Sequence, residues 1–335
     1  MVFIGVKRMY VTGVVGTGLV SIIYGTIEWM PQGYVAIFAS FTLRAAEAFF
    51  AAPAMVGVMT LVSLTFPQKR SSIAGISGAA QSIGMLLGPS IGSFLYARGG
   101  FHLPFFVTGT MYTLIGLVMM PLLPSPSRSP EISQKSDLTR KMLCNSIVMI
   151  LCSSLAVIYS AIGYLSSTLA IHLKSSLGMN EYEIGFTFLI APGIIAIGSP
   201  MLGRYSDKRK NGLNILLYGG LSHVVGFLLL VPWNMNISTN YRIFIALTLL
   251  GFGLSSLVVI MQVMTETVGL PPDDIQSQTS IAAFVNTSRF IGEFFGMSGG
   301  GILIDNFSFT TGCYAMAASN LVCVVLMAAM RKITV

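Results

Sequence analysis

The chain has 335 residues, of which 54% are hydrophobic and only 9% charged, and its mean hydropathy is +0.78. That balance excludes a soluble globular domain, in which about 25% of residues carry charge. The net charge of +7 arises from 19 basic and 12 acidic residues, grouped in short clusters between apolar runs; no extended basic face of the nucleic-acid-binding kind results.

Ten apolar stretches are long enough to cross about 30 Å of hydrocarbon as helices. They lie near residues 9–27, 34–55, 71–96, 103–123, 143–165, 184–203, 213–233, 241–264, 279–304 and 309–330. The first follows Lys7 and Arg8 as a signal peptide would, but it is long for that role and lacks a small-residue cleavage site, so it reads as a span. With Met1 in the cytosol and the spans alternating, fourteen basic residues fall on the cytosolic side and three outside (Arg98, Lys174 and Arg242). Arg44 and Arg289 lie within spans. This bias predicts cytosolic termini.

The polar stretch Pro124–Lys141 predicts a flexible cytosolic linker between a bundle of four spans, 1–123, and one of six, 142–335. The sequon Asn236-Ile237-Ser238 lies in an outside loop where a glycan is possible, and Glu266, Asp273 and Asp274 form an acidic cytosolic loop. Cys144, Cys152, Cys313 and Cys323 all sit in apolar runs and read as small buried hydrophobes, with no metal-ligand spacing.

The chain repeats itself. Displaced by 208 residues, Ser72-Ile73-Ala74 fall on Ser280-Ile281-Ala282, and Gly84, Gly88 and Gly92 fall on Gly292, Gly296 and Gly300. Glycines four apart line one helix face and let a neighbouring helix approach closely. Two halves related in this way are the mark of transporters built from parallel repeats. The second half opens near Met142, so the repeat predicts that about 66 residues, room for two spans, are lacking before Met1.

Gly203, Asp207, Lys208, Arg209 and Lys210, between two apolar runs, resemble the loop motif G-x-x-x-D-[RK] plus basic cluster of the major facilitator superfamily. Lys210 stands where that motif has glycine, and Gly5-Val6-Lys7-Arg8 is similar to the tail of a first copy. Gly84, Gly88, Pro89 and Gly92 resemble the G-x-x-x-G-P-x-x-G stretch of proton-coupled antiporters, a helix-packing motif in which the proline should kink the helix. Arg44-Ala45-Ala46-Glu47-Ala48 is similar to the fourth-helix pattern R-x-x-Q-G, and it resembles most the vesicular amine transporter family, in its polyamine-transporter-like branch. The resemblance implies an all-α, two-bundle membrane protein that exchanges protons for an organic cation, with Asp207 in the conformational switch. Leu254 and Asn286 stand where monoamine members carry acids, and Ser166-Ser167 where the polyamine-like branch has Asp-Pro.

Arg44 and Glu47 lie three apart, and Arg289 and Glu293 four apart, so each pair shares a helix face near the middle of a span. A charge at that depth costs at least ~2.5–3.5 kcal/mol and belongs against the bundle interior or a wet cavity. These four and Asn286 are the candidate substrate or proton pathway; a structural intrahelical pair is the plainer alternative. Tyr159 and Tyr164 are candidates for cation–π contacts, whereas His172, at the outer end of a span, reads as interfacial. No nucleophile–base arrangement, cofactor motif or metal cluster is legible, and an enzyme is not expected. The partners expected are a small-molecule substrate, protons and the lipid bilayer of a vesicle or plasma membrane. A truncated, non-transporting isoform with a scaffold role and a carrier of drugs or another small solute stay open as alternatives.

Overall fold

A computed structural model of the chain describes residues 5–31, 33–123, 140, 142–231, 238–269 and 274–334. The expected linker at 124–141 (residue 140 apart), with its Arg128, Lys135 and Lys141, lies outside them. So do Asn236 and Ile237 of the sequon, and Asp273.

Among the described residues eleven long α-helices follow in order: α1 (Val6–Gly25), α2 (Tyr34–Thr65), α3 (Arg70–Gly99), α4 (His102–Leu122), α5 (Ser146–Leu177), α6 (Glu181–Arg209), α7 (Gly212–Leu230), α8 (Thr239–Ser255), α9 (Ile260–Val268), α10 (Ile275–Asn306) and α11 (Phe309–Thr334). Among the described residues there is no strand. A 3₁₀ turn at Ser256–Val259 joins α8 to α9, so the eleven helices make ten rods, as the hydropathy predicts. Eight rods are both long and apolar enough to cross a membrane. The other two, α3 and α10, have 30 and 32 residues; length suffices, but glycine, serine and charge dilute their hydropathy.

The rods overrun their expected ends. The Asn145 side chain accepts from Ile147 and Val148 N–H at the start of α5, and Gly178 closes its end in the left-handed region, so the helix runs 32 residues instead of stopping near 165. His172 therefore lies within a helix and not at its end. Asn180 and Glu183 form a reciprocal capping box that opens α6. Pro53, Pro89, Pro121, Pro192 and Pro200 sit in helix interiors, and α3 stays helical across Pro89.

Two compact units emerge, one comprising Met1–Thr65, Leu87–Ile132 and Pro272–Ala282, the other Phe66–Leu86, Ser133–Pro271 and Ala283–Val335. In the first, α1 packs against both α2 and α4. A side chain at Gly13 would lie 2.8 Å from the Phe50 carbonyl oxygen, and one at Gly18 2.6 Å from the Gly109 carbonyl oxygen, so these glycines set the helix separations. In the second, α7 packs on α8 and α11, and α5 on α11. Its core joins Tyr164 and Leu173 of α5, Phe227 of α7, Ala246 and Leu250 of α8, and Cys313 of α11. Phe38, Phe41 and Phe49 of α2 and Phe294 and Phe295 of α10 are exposed, which hydrocarbon tolerates and water would not.

The repeat is carried by the elements. Displaced by 208 residues, α1 falls on α7, α2 on α8–α9, α3 on α10 and α4 on α11; α5 and α6 have no counterpart in the chain. The two glycine stripes differ in what they meet. A side chain at Gly292 or Gly296 would collide with the backbone of Ala156 or Ser160 on α5, and one at Gly300 with Ser167. Gly84, Gly88 and Gly92 meet nothing within 4 Å among the described residues. Among the described residues, the packing expected of this motif is made by its α10 copy, against α5. Gly296→Leu should accordingly cost about 1–3 kcal/mol or more through overpacking. In detergent it should lower the thermal midpoint and the monodisperse yield, while Gly88→Leu leaves both near wild type.

Candidate functional site

Three constellations gather the polar residues of the helices. The first lies in the first unit. Arg44 of α2 donates from Nη1 to Glu47 Oε2 at 2.6 Å, one turn along the same helix. Its guanidinium carbon stands 4.1 Å from the ring centre of Tyr24 on α1 and 5.6 Å from that of Phe105 on α4. Tyr24 and Phe105 are themselves 4.9 Å apart, and Phe101 lies 4.9 Å from Phe105. The charge thus rests on a three-ring aromatic platform, a geometry in which the ring quadrupoles stabilise a cation.

The second constellation is in the second unit. Arg289 of α10 donates from Nε to Glu293 Oε1 at 3.1 Å, and its guanidinium lies 5.1 Å from the Tyr159 ring of α5 and 5.9 Å from that of Phe290. Asn286, one turn earlier, is 3% exposed. The two sites share a plan: an arginine, a glutamate one turn on, and a tyrosine face from a neighbouring helix. Tyr24 was not legible as a partner in sequence, since nothing in the spacing links it to residue 44. Tyr164, by contrast, is fully buried and donates its hydroxyl to the Phe309 carbonyl at 2.9 Å; it is a packing residue and not a cation-facing one.

The third constellation surrounds Asp207. The motif Gly203–Arg209 proves to be helical, forming the last two turns of α6, and only Lys210 and Asn211 form the turn before α7. The physical reason is a left-handed cap: Lys210 has φ 51° and donates its N–H to the Ser206 carbonyl. Asp207 then reaches the N-terminus of α3, where its two carboxylate oxygens accept from Ser71 N–H at 3.2 Å and Ser72 N–H at 2.8 Å. These are otherwise unsatisfied donors at the positive end of a helix dipole. A side chain at Gly203 would strike the Ser71 carbonyl, so glycine is needed for this approach. Gln262 of α9 accepts at Oε1 from the hydroxyls of Ser71 and of Ser206, the latter at 2.9 Å, and donates to Glu266 at 2.8 Å. Glu266 therefore lies on a helix and in a hydrogen-bonded chain, not in a loop. Ser71 and Gln262 carry no sequence signal that marks them, and Ser72 is marked only by the repeat. Lys208 and Arg209 are exposed beside the cluster.

Other expectations are corrected. Cys152, Cys313 and Cys323 are buried but Cys144 is exposed. His172 stacks on Phe309 at 4.0 Å and lines a cavity of about 560 Å³ with Arg242, Ser175 and Thr239. Arg242 lies within α8 and is 7% exposed. Glu28 accepts from the ring and backbone nitrogens of His102 at 3.0 and 3.3 Å.

Ten long, largely apolar rods, two of them carrying an arginine–glutamate pair along one helix, define a multi-pass helical membrane protein. Residues 2–296 match the model of the Major Facilitator Superfamily, and the chain belongs to that family of membrane transporters. It is 26% identical over 315 residues to the human MFS-type transporter SLC18B1, covering 92% of this chain and 68% of the human one. It is also similar to the human synaptic vesicular amine transporter, 28% identical over 184 residues, and to the rat chromaffin granule amine transporter, 26% over 204. These alignments cover 55% and 61% of this chain and 35% and 38% of those relatives. The chain is a transporter of small substrates related to these proteins, not an enzyme.

The left-handed cap generates a prediction. A non-glycine residue there is disfavoured by about 1–2 kcal/mol, part of which the greater freedom of an unfolded glycine offsets. Lys210→Gly should raise the thermal midpoint in detergent, whereas Lys210→Ala should not.

Proposed function

We propose that this chain exchanges protons for an organic cation, an amine, by alternating access between two bundles, 1–123 and 142–335, joined by the linker 124–141. The observation that carries the reading is the pairing of Arg44 with Glu47 and of Arg289 with Glu293 along membrane-length helices, each pair against a tyrosine ring. A carboxylate within a membrane-spanning helix marks a substrate or proton path, and each of these pairs supplies one. The amine transport stated in the names of two relatives supports the choice of substrate class. Asn286 extends this pathway along α10. The same two names support a vesicular membrane, and the distribution of basic residues supports cytosolic termini.

In this reading Asp207 belongs to the switch. Its bonds to Ser71 and Ser72 hold the end of α6 against the start of α3, and a ligand that favours the opposite state must break them. Gly203, Lys208 and Arg209 shape and solvate that contact.

The test is uptake of labelled spermidine or serotonin into membrane vesicles holding the longest form that the message encodes, driven by an imposed proton gradient. Gradient-dependent uptake is expected, with Glu47→Gln abolishing it; no uptake of either amine, or uptake unchanged by Glu47→Gln, overturns the reading. Asp207→Asn should slow turnover at saturating amine while leaving equilibrium binding within about threefold, since it alters the balance between states and touches no substrate. A large loss of binding with normal turnover would make Asp207 a substrate contact.

A further inference from the structure

The two arginine sites differ in one respect that the shared plan conceals. The Arg44 side chain is 50% exposed, the Arg289 side chain 18%. Protein encloses Arg289 and leaves one side of Arg44 open, so Arg44 can turn from its partners without displacing a packed neighbour, and Arg289 cannot. Beneath Arg44 lies what a free organic cation would need. Glu47 supplies a carboxylate, itself only 23% exposed, at 2.6 Å from the charged nitrogen. Tyr24 supplies a ring face at 4.1 Å, and Phe105 a second ring at 5.6 Å. Nothing in this arrangement requires that the cation be covalently attached: both contacts are made to the guanidinium, and the platform of Tyr24, Phe101 and Phe105 is held by ring-to-ring contacts of its own.

We infer that Glu47, Tyr24 and Phe105 form a cation-binding site that Arg44 fills as a tethered, displaceable occupant. The free ligands it takes are alkylguanidinium and alkylammonium ions. The inference rests on the proposed transport reading only in naming an amine as the ligand that displaces Arg44. On arrival the amine takes the place over the Tyr24 ring beside Glu47, and Arg44 swings away. Arg289 stays with Glu293 throughout. The tether sets a threshold: the site is never an unpaired carboxylate in low dielectric, and a ligand binds only by outcompeting a guanidinium already in place. A site that its own tether fills nine-tenths of the time binds a free cation about tenfold more weakly than it otherwise would.

The experiment is chemical rescue, with methylguanidinium as the probe, titrated calorimetrically against the full chain in lipid nanodiscs. Arg44→Ala should bind methylguanidinium about tenfold more tightly than wild type, and the double variant Arg44→Ala/Glu47→Gln should lose that gain. Arg44→Lys, which refills the site, should behave as wild type. If Arg44→Ala fails to give monodisperse protein, Arg44→Gln serves in its place, and methylguanidinium should raise its thermal midpoint while leaving that of wild type unchanged. Equal binding by wild type and Arg44→Ala, or a gain that survives Glu47→Gln, overturns the inference. Spermidine and serotonin separate it from the transport reading. If wild type binds an amine and Arg44→Ala binds it no more tightly, the tether is wrong and amine transport stands. Glu47-dependent rescue by methylguanidinium, with no amine bound by either protein, leaves the tethered site standing and removes the amine.

Discussion

Charge in hydrocarbon is the constraint on which this structure depends. Arg44 lies ten residues into a helix of 32, and Arg289 near the middle of another of 32. At either depth an unpaired guanidinium is costly enough to oppose insertion. Both are answered in the same way, by a glutamate one turn along the helix and a tyrosine ring from a neighbouring one. The glutamate is a local solution and travels with the helix. The ring is a tertiary one, and it requires α1 to lie against α2 and α5 against α10.

Those neighbours come close because glycine lets them. Gly13 and Gly18 on α1 and Gly292 and Gly296 on α10 leave room only for backbone, so the helix axes approach further than side chains would permit. Where apolar side chains gain little by leaving lipid, such close contact replaces the hydrophobic effect as the source of specificity. The stripe Gly84, Gly88, Gly92 shows the same sequence device with no described residue within 4 Å of it. One motif can thus be a packed seam in one copy and an open face in another.

Asp207 applies electrostatics at a helix end instead of a helix middle. Its carboxylate sits on two N–H groups of α3 that would otherwise lack helical partners, and Gln262 ties the hydroxyls of Ser71 and Ser206 to the same point. The contact is polar, small and made of groups that water can also satisfy. Its strength suits a bond that is made and broken, in contrast with the glycine seams, whose loss would expose nothing water could repair.

The amino-acid sequence by itself determined the ten rods, because a membrane-length apolar run has one way to satisfy its backbone, and it determined the two arginine–glutamate pairs, because spacings of three and four put both groups on one helix face. It also determined the order of the repeat, which survives as a displacement of whole helices. Helix ends were less legible: α5 overran its apolar run because Asn145 and Gly178 capped it beyond the hydropathy boundary. The partners that complete the sites were decided by tertiary structure alone. Tyr24 meets Arg44, Ser71 meets Asp207 across 136 residues and Gln262 across 191, and no local period encodes such contacts. Which glycine stripe is covered was likewise decided in space: both copies read alike, and among the described residues α5 lies against the α10 copy.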